Sequence, residues 1–266
     1  MSNRVLNNEY GCAEMQEDLL KTLDVFDGIC RENDIKYTLH GGTVLGAERN
    51  HHLIPWDDDV DVAMWRDEFE KFKKLFSDGT VREGFYLDET TMWFPRFVMK
   101  REDPVYIDIL IWDYISEKKA AQWMKITSLR AIQGMMKENV DYSQYGLKGK
   151  ILVGATQLIG KTMSIEKKLK IFHNIQTRKY LGKKLFIHRS NDSYRGCTYI
   201  LDNEYMKDYT EIELEGKNYM VNTRYREFLV MEYGENYMTP PPEKDRHPGH
   251  VKFRENLKYK QEKADK

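Results

Sequence analysis

Four aspartates within five consecutive positions form the most chemically informative segment of this chain of 266 residues. The segment 54–64 has the sequence IPWDDDVDVAM, in which apolar residues alternate with Asp59 and Asp61. Because successive side chains of a β-strand point to opposite faces, we expect both carboxylates on one face and Val60 and Val62 in the core. Carboxylates about 6–7 Å apart on a strand repel each other unless a cation lies between them. Mg²⁺, which prefers oxygen ligands, suits that position.

Asp108 is a third carboxylate in a similar setting, the apolar sequence YIDIL at 106–110. A lone buried aspartate is costly unless it is paired or bound to a metal. If its strand lies beside the strand of Asp59 and Asp61, the three carboxylates form one site for divalent ions. Taken alone, Asp108 is explained equally well by a strand-end cap or a buried salt bridge.

Two other interpretations of the aspartate segment stay open at this point. A run of aspartates often forms a solvated turn, although the interleaved valines favour a strand here. Asp57, Asp59, Asp61 and Glu68 also have the spacing of ligands in an EF-hand calcium loop. The glycine that this loop requires is replaced by Val62, which argues against it.

Two motifs around this segment carry a family resemblance. The sequence LHGGTVLGAER at 39–49, followed by IPWDDDVD at 54–61, resembles the signature of the LicD family, which includes bacterial phosphocholine transferases and shares the motif with fukutin-related proteins. The resemblance continues at YIDI (106–109) with Asp113, and at EYGENYM (232–238). It implies an α+β fold of the nucleotidyltransferase type, a mixed β-sheet flanked by helices with a helical basic insertion.

The resemblance also implies an activity and a set of site residues. The activity is Mg²⁺-dependent transfer, with Mn²⁺ as an alternative metal, of a phospho-alcohol group from a CDP-linked donor. Phosphocholine is the first candidate for the group, and the acceptor is a sugar hydroxyl of a lipid-linked or polymeric glycan, such as a cell-surface glycan or teichoic acid precursor, with release of CMP. Asp59, Asp61 and Asp108 would be the catalytic and metal-binding residues. Gly42 and Thr43 would lie at the phosphate-binding turn. Beside the resemblance, Arg49 and Lys100 are candidates to contact the phosphates, although each taken alone is more often a surface cation, and Trp112 could shape the acceptor side.

Choline and the acceptor side raise a separate question. A quaternary ammonium group favours an aromatic cage, for which Trp93, Tyr106 and Trp112 are candidates, although aromatic residues at such positions are more often core. Ile111 and Trp112 stand where the family often has proline, which leaves the identity of the transferred group open.

Two further classes of function compete with this transferase. One is a nucleotidyltransferase that modifies a small molecule with the same aspartates, and the other is a non-catalytic metal-binding module.

The elements that must position these residues follow from hydrophobic periodicity and turn residues. A glycine pair at Gly41 and Gly42 predicts a turn or a close backbone approach to a ligand. The remaining expected elements are a helix at 14–33, strands at 37–40 and 59–64, a helix capped by Asp67, strands at 85–87, 94–99 and 105–111, helices at 118–138 and 164–181, strands at 197–201, 210–214 and 219–221, and a helix capped by Asn222 or Thr223 that ends at Gly234.

Charge is distributed unevenly along the chain. The totals of 42 basic and 43 acidic residues argue against a nucleic-acid partner. Residues 118–195, however, contain 17 basic and four acidic residues, a net charge of +13, and the remainder carries -14. Charged helix faces are often simply solvated. The alternative is peripheral contact with an anionic membrane surface that weakens with salt.

The resemblance, together with these patterns, implies the organisation of the chain. We expect residues 1–115 to form a nucleotidyltransferase-like catalytic core and 116–195 a basic, mainly helical segment. Residues 196–251 should supply C-terminal strands and a helix that pack back on the core, and 252–266 a charged tail. Three widely spaced cysteines and the lack of an apolar leader predict a cytoplasmic protein, peripheral at the inner face of the membrane if the basic segment docks there.

Overall fold

The computed structural model describes residues 6–77, 82–137, 140, 142, 146–178 and 183–248. These residues fall into two compact units. The first takes them from Met1–Asp88, Arg96–Ile109 and Glu204–Lys266, and the second from Glu89–Pro95 and Leu110–Asn203. The predicted tail at 252–266 and the predicted helix ends at Glu138 and Leu181 lie outside the described residues.

Helices and strands alternate in the first part of the described chain, and in the rest they occur in groups. In chain order the elements are α1 (Ala13–Glu32), β1 (Thr38–His40), α2 (Gly41–Asn50), β2 (Asp61–Trp65), α3 (Arg66–Ser77), β3 (Phe85–Asp88), β4 (Arg96–Met99), β5 (Val105–Ile115), α4 (Lys119–Met136), α5 (Leu147–Gly160), α6 (Ile165–Gln176), β6 (Phe186–Arg189), β7 (Ile200–Asp202), β8 (Tyr209–Leu214), β9 (Lys217–Asn222) and α7 (Tyr225–Tyr233). The predicted fold class is confirmed: a curled mixed sheet is flanked by helices.

The sheet of the first unit has the strand order β1-β2-β5-β4-β3. Strands β1 and β2 are antiparallel with His40 opposite Asp61, and β4 and β5 are antiparallel with Arg96 opposite Asp108. Helix α1 covers part of this sheet because Leu19, Leu23 and Phe26 recur at spacings of three and four, and all three are fully buried. The hairpin of β8 and β9 completes the unit.

The second unit combines the end of β5 with three helices. Strand β5 is buried along most of its length, so its sequence is almost continuously apolar rather than alternating. Its last residues pair with β6, which in turn pairs with β7, both in antiparallel fashion. Helices α4 and α6 enclose an apolar cluster of Leu129, Ile132, Met136 and Phe172. No helix among the described residues has the length and apolar character needed to cross a membrane.

Several predicted elements differ from the observed ones in instructive ways. The glycine pair is not a turn between strands: it forms the first turn of helix α2. The strand of the aspartate segment begins at Asp61, so Asp59 precedes it. Residues 151–159, predicted only to be an apolar segment, lie within α5, and helix α7 is preceded at its N-cap by Arg224 rather than by Asn222 or Thr223.

Candidate active site

The glycines at the start of α2 allow the backbone to approach two carboxylates. Gly41 has a φ of 55°, and a Cβ atom at this position would lie 2.6 Å from Oδ2 of Asp61. A Cβ atom at Gly42 would collide with Oδ2 of Asp57. The N-terminus of a helix carries exposed N–H groups and a partial positive charge, which favour anions nearby. The two glycines therefore leave room for acidic groups at the N-terminal end of α2.

Thr43 connects the same helix to strand β2. The backbone N–H of Asp61 donates a hydrogen bond to Oγ1 of Thr43 at 2.9 Å, and Thr43 is buried. The hydrogen bond to Thr43 of α2 and the strand pairing with β1 therefore both hold the backbone of Asp61 in place. Thr43 supports the site residue in this structure through its hydroxyl group.

Three consecutive carboxylates meet just before β2. Oxygen atoms of Asp57, Asp58 and Asp59 all lie within 4.8 Å of one another. Burial raises the pKa of Asp57 well above its usual range, and the adjacent carboxylate of Asp59 raises it further. Oδ2 of Asp57 is buried and has no hydrogen-bond partner among the described residues. Such a concentration of carboxylate oxygens is the chemistry that a hard divalent cation would stabilise.

Asp108 reaches this region through the backbone of β5. Its N–H donates a hydrogen bond to the carbonyl oxygen of Val60 at 3.1 Å. Val60 is the residue between Asp59 and Asp61, and β2 and β5 are neighbours in the sheet. The structure thus places the segment of Asp59 and Asp61 beside the strand of Asp108, as the sequence analysis required for a shared site.

Arg96 is the member of this region that sequence reasoning missed. Its Nε atom donates to Oδ1 of Asp108 at 2.8 Å, its side chain is 3% exposed, and its guanidinium carbon lies 4.1 Å from the ring centroid of Tyr106. The buried salt bridge considered for Asp108 is therefore present. A charged residue in the apolar strand sequence RFVM was a usable signal, but only the cross-strand register identifies its partner.

The other residues expected to contact substrate lie in different settings. The guanidinium of Arg49 donates to the carbonyl oxygens of Tyr237, at 2.7 Å from Nε, and of Thr239, at 3.2 Å from Nη2. Lys100 is exposed, and its ammonium nitrogen lies 5.6 Å from the ring centroid of Tyr86. Trp112 belongs to the second unit and is fully buried.

The three candidates for an aromatic cage differ in their surroundings. Tyr106 is 5% exposed, and one face of its ring is covered by Arg96. Trp93 packs against the apolar cluster of the second unit, and Trp112 lies in the same unit. Each of these rings therefore has a packing role in its own unit.

The glycine pair in the first turn of α2, the aspartates just before and at the start of β2, and Asp108 on the neighbouring strand have the arrangement that the resemblance to the nucleotidyltransferase class implies. Comparison with protein families agrees with this class: residues 34–145 match the model described as LicD/FKTN/FKRP, nucleotidyltransferase domain. Over this segment the chain is similar to the LicD family. The site residues and the matched segment coincide, since Gly42, Asp61 and Asp108 all lie within it.

Individual relatives extend the similarity beyond this domain. The chain is 26% identical over 263 residues to the lipopolysaccharide cholinephosphotransferase LicD of Haemophilus influenzae. The aligned segment covers 90% of this chain and 95% of that protein. The chain is 35% identical over 48 residues to the human ribitol 5-phosphate transferase FKRP. This shorter alignment covers 18% of this chain and 10% of that protein. An uncharacterized protein of Rickettsia typhi, RT0683, is 39% identical over 44 residues, 16% of this chain and 14% of that protein.

Proposed function

We propose that this chain transfers phosphocholine, or a closely related phospho-alcohol group, from a CDP-linked donor to a sugar hydroxyl of a glycan. The acceptor would be a lipid-linked or polymeric glycan such as a lipopolysaccharide or teichoic acid precursor, and CMP would be released. The observation that carries the proposal is the backbone pairing of Asp108 with Val60, between Asp59 and Asp61, in a LicD-family domain. The long similarity to a cholinephosphotransferase supports phosphocholine as the group.

The residues present fit a divalent metal ion. They offer carboxylate oxygens, one of which, Oδ2 of Asp57, is buried without a hydrogen-bond partner among the described residues. Gly41 and Gly42 leave open the space beside Asp61 and Asp57 that a Cβ atom would fill. Asp59, Asp61 and Asp108 would hold Mg²⁺, or Mn²⁺ in its place. When bound, such an ion neutralises charge on the transferred phosphate and positions the donor.

The chain's own residues would orient the reacting groups. The acceptor hydroxyl oxygen forms a bond to the phosphorus of the transferred group as the bond from that phosphorus to the bridging oxygen breaks. The hydroxyl proton passes to a carboxylate oxygen of Asp108, and CMP leaves with the electron pair of the broken bond. Arg96 holds Oδ1 of Asp108, which orients this carboxylate, and Thr43 holds the backbone of Asp61. Most of the catalysis of such a transfer is positioning and charge stabilisation.

Product analysis of two variants tests this function. With CDP-choline, Mg²⁺ and a glycan acceptor, we expect CMP release to fall about 10³-fold in Asp61→Asn, because loss of a charge that stabilises the transition state has effects of this order. Asp34→Asn is the matched control, since Asp34 is an exposed carboxylate of the same unit, with a side chain that is 89% exposed. A chelator should abolish activity, and added Mg²⁺ should restore it.

The alternatives give different products. Release of pyrophosphate from a nucleoside triphosphate, with no CMP from CDP-choline, would replace the proposal by a nucleotidyltransferase that acts on a small molecule. Full activity of Asp61→Asn, with the fold intact by circular dichroism, would exclude the assigned site. Specific Mg²⁺ binding without turnover of any CDP-linked compound would indicate a metal-binding module.

A further inference from the structure

Helix α5 in the second unit presents large apolar side chains to solvent. Leu147 is 76% exposed, Leu158 69% and Ile151 65%, and Leu152 and Ile159 are also more than half exposed. Residues spaced by three, four and seven positions share one face of a helix, so these side chains form a continuous apolar stripe. The outward face of an ordinary surface helix is polar, and α5 has the opposite arrangement.

The inward face of α5 explains why this helix cannot rotate to bury the stripe. A Cβ atom at Gly160 would collide with the carbonyl oxygen of Met135 on α4. A Cβ atom at Gly134 on α4 would lie 2.5 Å from Oγ1 of Thr156 on α5. The two helices therefore approach each other through small residues. A leucine or isoleucine turned into this contact would overlap with the backbone of α4, so the apolar stripe remains outside.

The charges around α5 indicate what covers the stripe. The sequence of α5 contains no acidic residue, and Lys150 and Lys161 stand near its two ends. Helix α6, which follows, adds Lys167, Lys168 and Lys170. These residues belong to the segment 118–195 with its net charge of +13. An apolar stripe within a strongly basic segment is complementary to a surface that is both apolar and anionic.

We propose that α5 docks this chain on an anionic lipid surface, with the stripe inserted among the lipids and the flanking lysines at the phosphate groups. The helix has 14 residues, which at about 1.5 Å per residue is too short to span a bilayer core of about 30 Å, so it lies along the interface. A second copy of the chain is a poorer occupant, because it would bring two basic segments of like charge together. The inference does not depend on the proposed transfer reaction.

Vesicle sedimentation with the full chain tests this docking. We expect binding to vesicles of phosphatidylglycerol and phosphatidylcholine at low salt, little binding to pure phosphatidylcholine, and weaker binding as salt is raised. The triple variant Leu147→Gln, Ile151→Gln, Leu158→Gln should bind at least 10-fold more weakly. Glutamine preserves helix propensity, and the three side chains that it replaces are mostly exposed.

A pair of single variants provides the matched comparison. Leu158→Gln should weaken vesicle binding, whereas Leu185→Gln, which changes an exposed leucine of the same unit outside α5, should not. Equal losses in both would overturn the proposal, as would equal binding of the wild-type chain to anionic and neutral vesicles. A lipid-free dimer in sedimentation velocity that the triple variant abolishes, without vesicle binding by the wild type, would instead assign the stripe to a second copy.

A fluorescent label locates the helix directly. Cys12, Cys30 and Cys197 are buried, so a cysteine introduced as Leu158→Cys can be labelled selectively with an environment-sensitive dye. We expect a blue shift and at least a twofold increase in emission on anionic vesicles, and no change for the same dye at Leu185→Cys. An unchanged spectrum at position 158 on vesicles that bind the chain would overturn the insertion of α5.

Discussion

The two units of this chain differ in where they leave apolar and charged side chains. Among the described residues, the first unit exposes only Tyr233 and Met238 of its large hydrophobic side chains, while the second exposes ten, five of them on α5. The first unit concentrates carboxylates at the start of β2. A metal and phosphate site requires such a concentration of acidic groups, whereas a lipid surface favours basic and apolar ones. The near-neutral total charge conceals this division of properties.

A buried arginine beside an aspartate occurs in both units, but the two pairs arise differently. Arg96 and Asp108 face each other across two strands, with 2.8 Å between Nε and Oδ1. Arg189 and Asp192 are three residues apart, with 2.9 Å between Nη2 and Oδ2, and the guanidinium carbon of Arg189 lies 5.6 Å from the ring centroid of Tyr199. Only the first pair includes a proposed metal ligand. Burial of an ion pair alone therefore does not identify a functional aspartate.

The largest expected effect concerns the glycine beside Asp61. In Gly41→Ala the added Cβ would lie 2.6 Å from Oδ2 of Asp61, so the carboxylate must move, and we expect transfer activity to fall at least 100-fold. Gly11→Ala is the control, because Gly11 also has a positive φ, 74°, but has no atom within 4 Å of the Cβ position. Similar activity loss in both variants would mean that backbone strain, rather than Asp61, accounts for the effect. Steady-state rates and thermal melts distinguish the two.

The two buried ion pairs can be compared by removing each arginine. Arg96→Met and Arg189→Met each remove the buried arginine of an ion pair, from the partly buried Asp108 and from Asp192, and we expect each to lower the free energy of unfolding by about 3–5 kcal/mol. Arg82→Met, which removes an exposed ion pair with Glu32, should cost about 1 kcal/mol or less. Urea unfolding measures all three.

Added Mg²⁺ should affect the stability of the two arginine variants differently. If Asp108 is a metal ligand, added Mg²⁺ should recover part of the stability lost in Arg96→Met, because the cation takes the place of the guanidinium beside the carboxylate. It should recover none in Arg189→Met. Equal recovery in both variants, or in neither, would remove the distinction between the two pairs.

His188 provides a pH test that is specific to the second unit. Burial lowers the pKa of His188 to about 3, and the positive charge of Lys125 contributes in the same direction. Because the pKa in the unfolded chain is about 6.5, the unfolded state takes up the proton first. The stability from this residue is therefore present above pH 6.5 and is lost as the pH falls from about 6.5 toward 3.

A substitution isolates this contribution. Between pH 7 and pH 5, wild type should lose about 2 kcal/mol more stability than His188→Asn. His52→Asn is the control, since the side chain of His52 is 62% exposed. The urea midpoints of the three proteins at both pH values measure the difference, and parallel pH profiles of wild type and His188→Asn would contradict the assignment.

Arg49 is expected to give the smallest effect. Its guanidinium donates to carbonyl oxygens of Tyr237 and Thr239, so Arg49→Met should lower the free energy of unfolding by about 1–2 kcal/mol and increase protease cleavage near residue 238. The catalytic constants should change little. A large rise in the KM for the donor with unchanged cleavage would instead support the phosphate contact predicted from the sequence.

Local patterns predicted much of the first unit because side-chain direction in a strand is a local property. The alternation around Asp61, the apolar setting of Asp108 and the glycine pair each indicated a site from short segments of sequence. A helix begins at Gly41, where the sequence predicted a turn or a close backbone approach to a ligand, and the close approach in the structure is to a carboxylate. The close approach to Asp61 itself depends on how α2 lies against β2.

Sequence patterns alone identified the acidic segment and the basic character of residues 118–195, because composition and periodicity act within a few residues of each position. The fold class came from the resemblance of the motifs to the LicD family. Tertiary packing places Arg96 opposite Asp108, brings the carboxylate of Asp57 beside that of Asp59, and turns the apolar face of α5 outward. Strand register and helix rotation depend on packing between segments far apart in the chain. No local pattern encodes those distances, so the partners of a residue can be known only after the chain has folded.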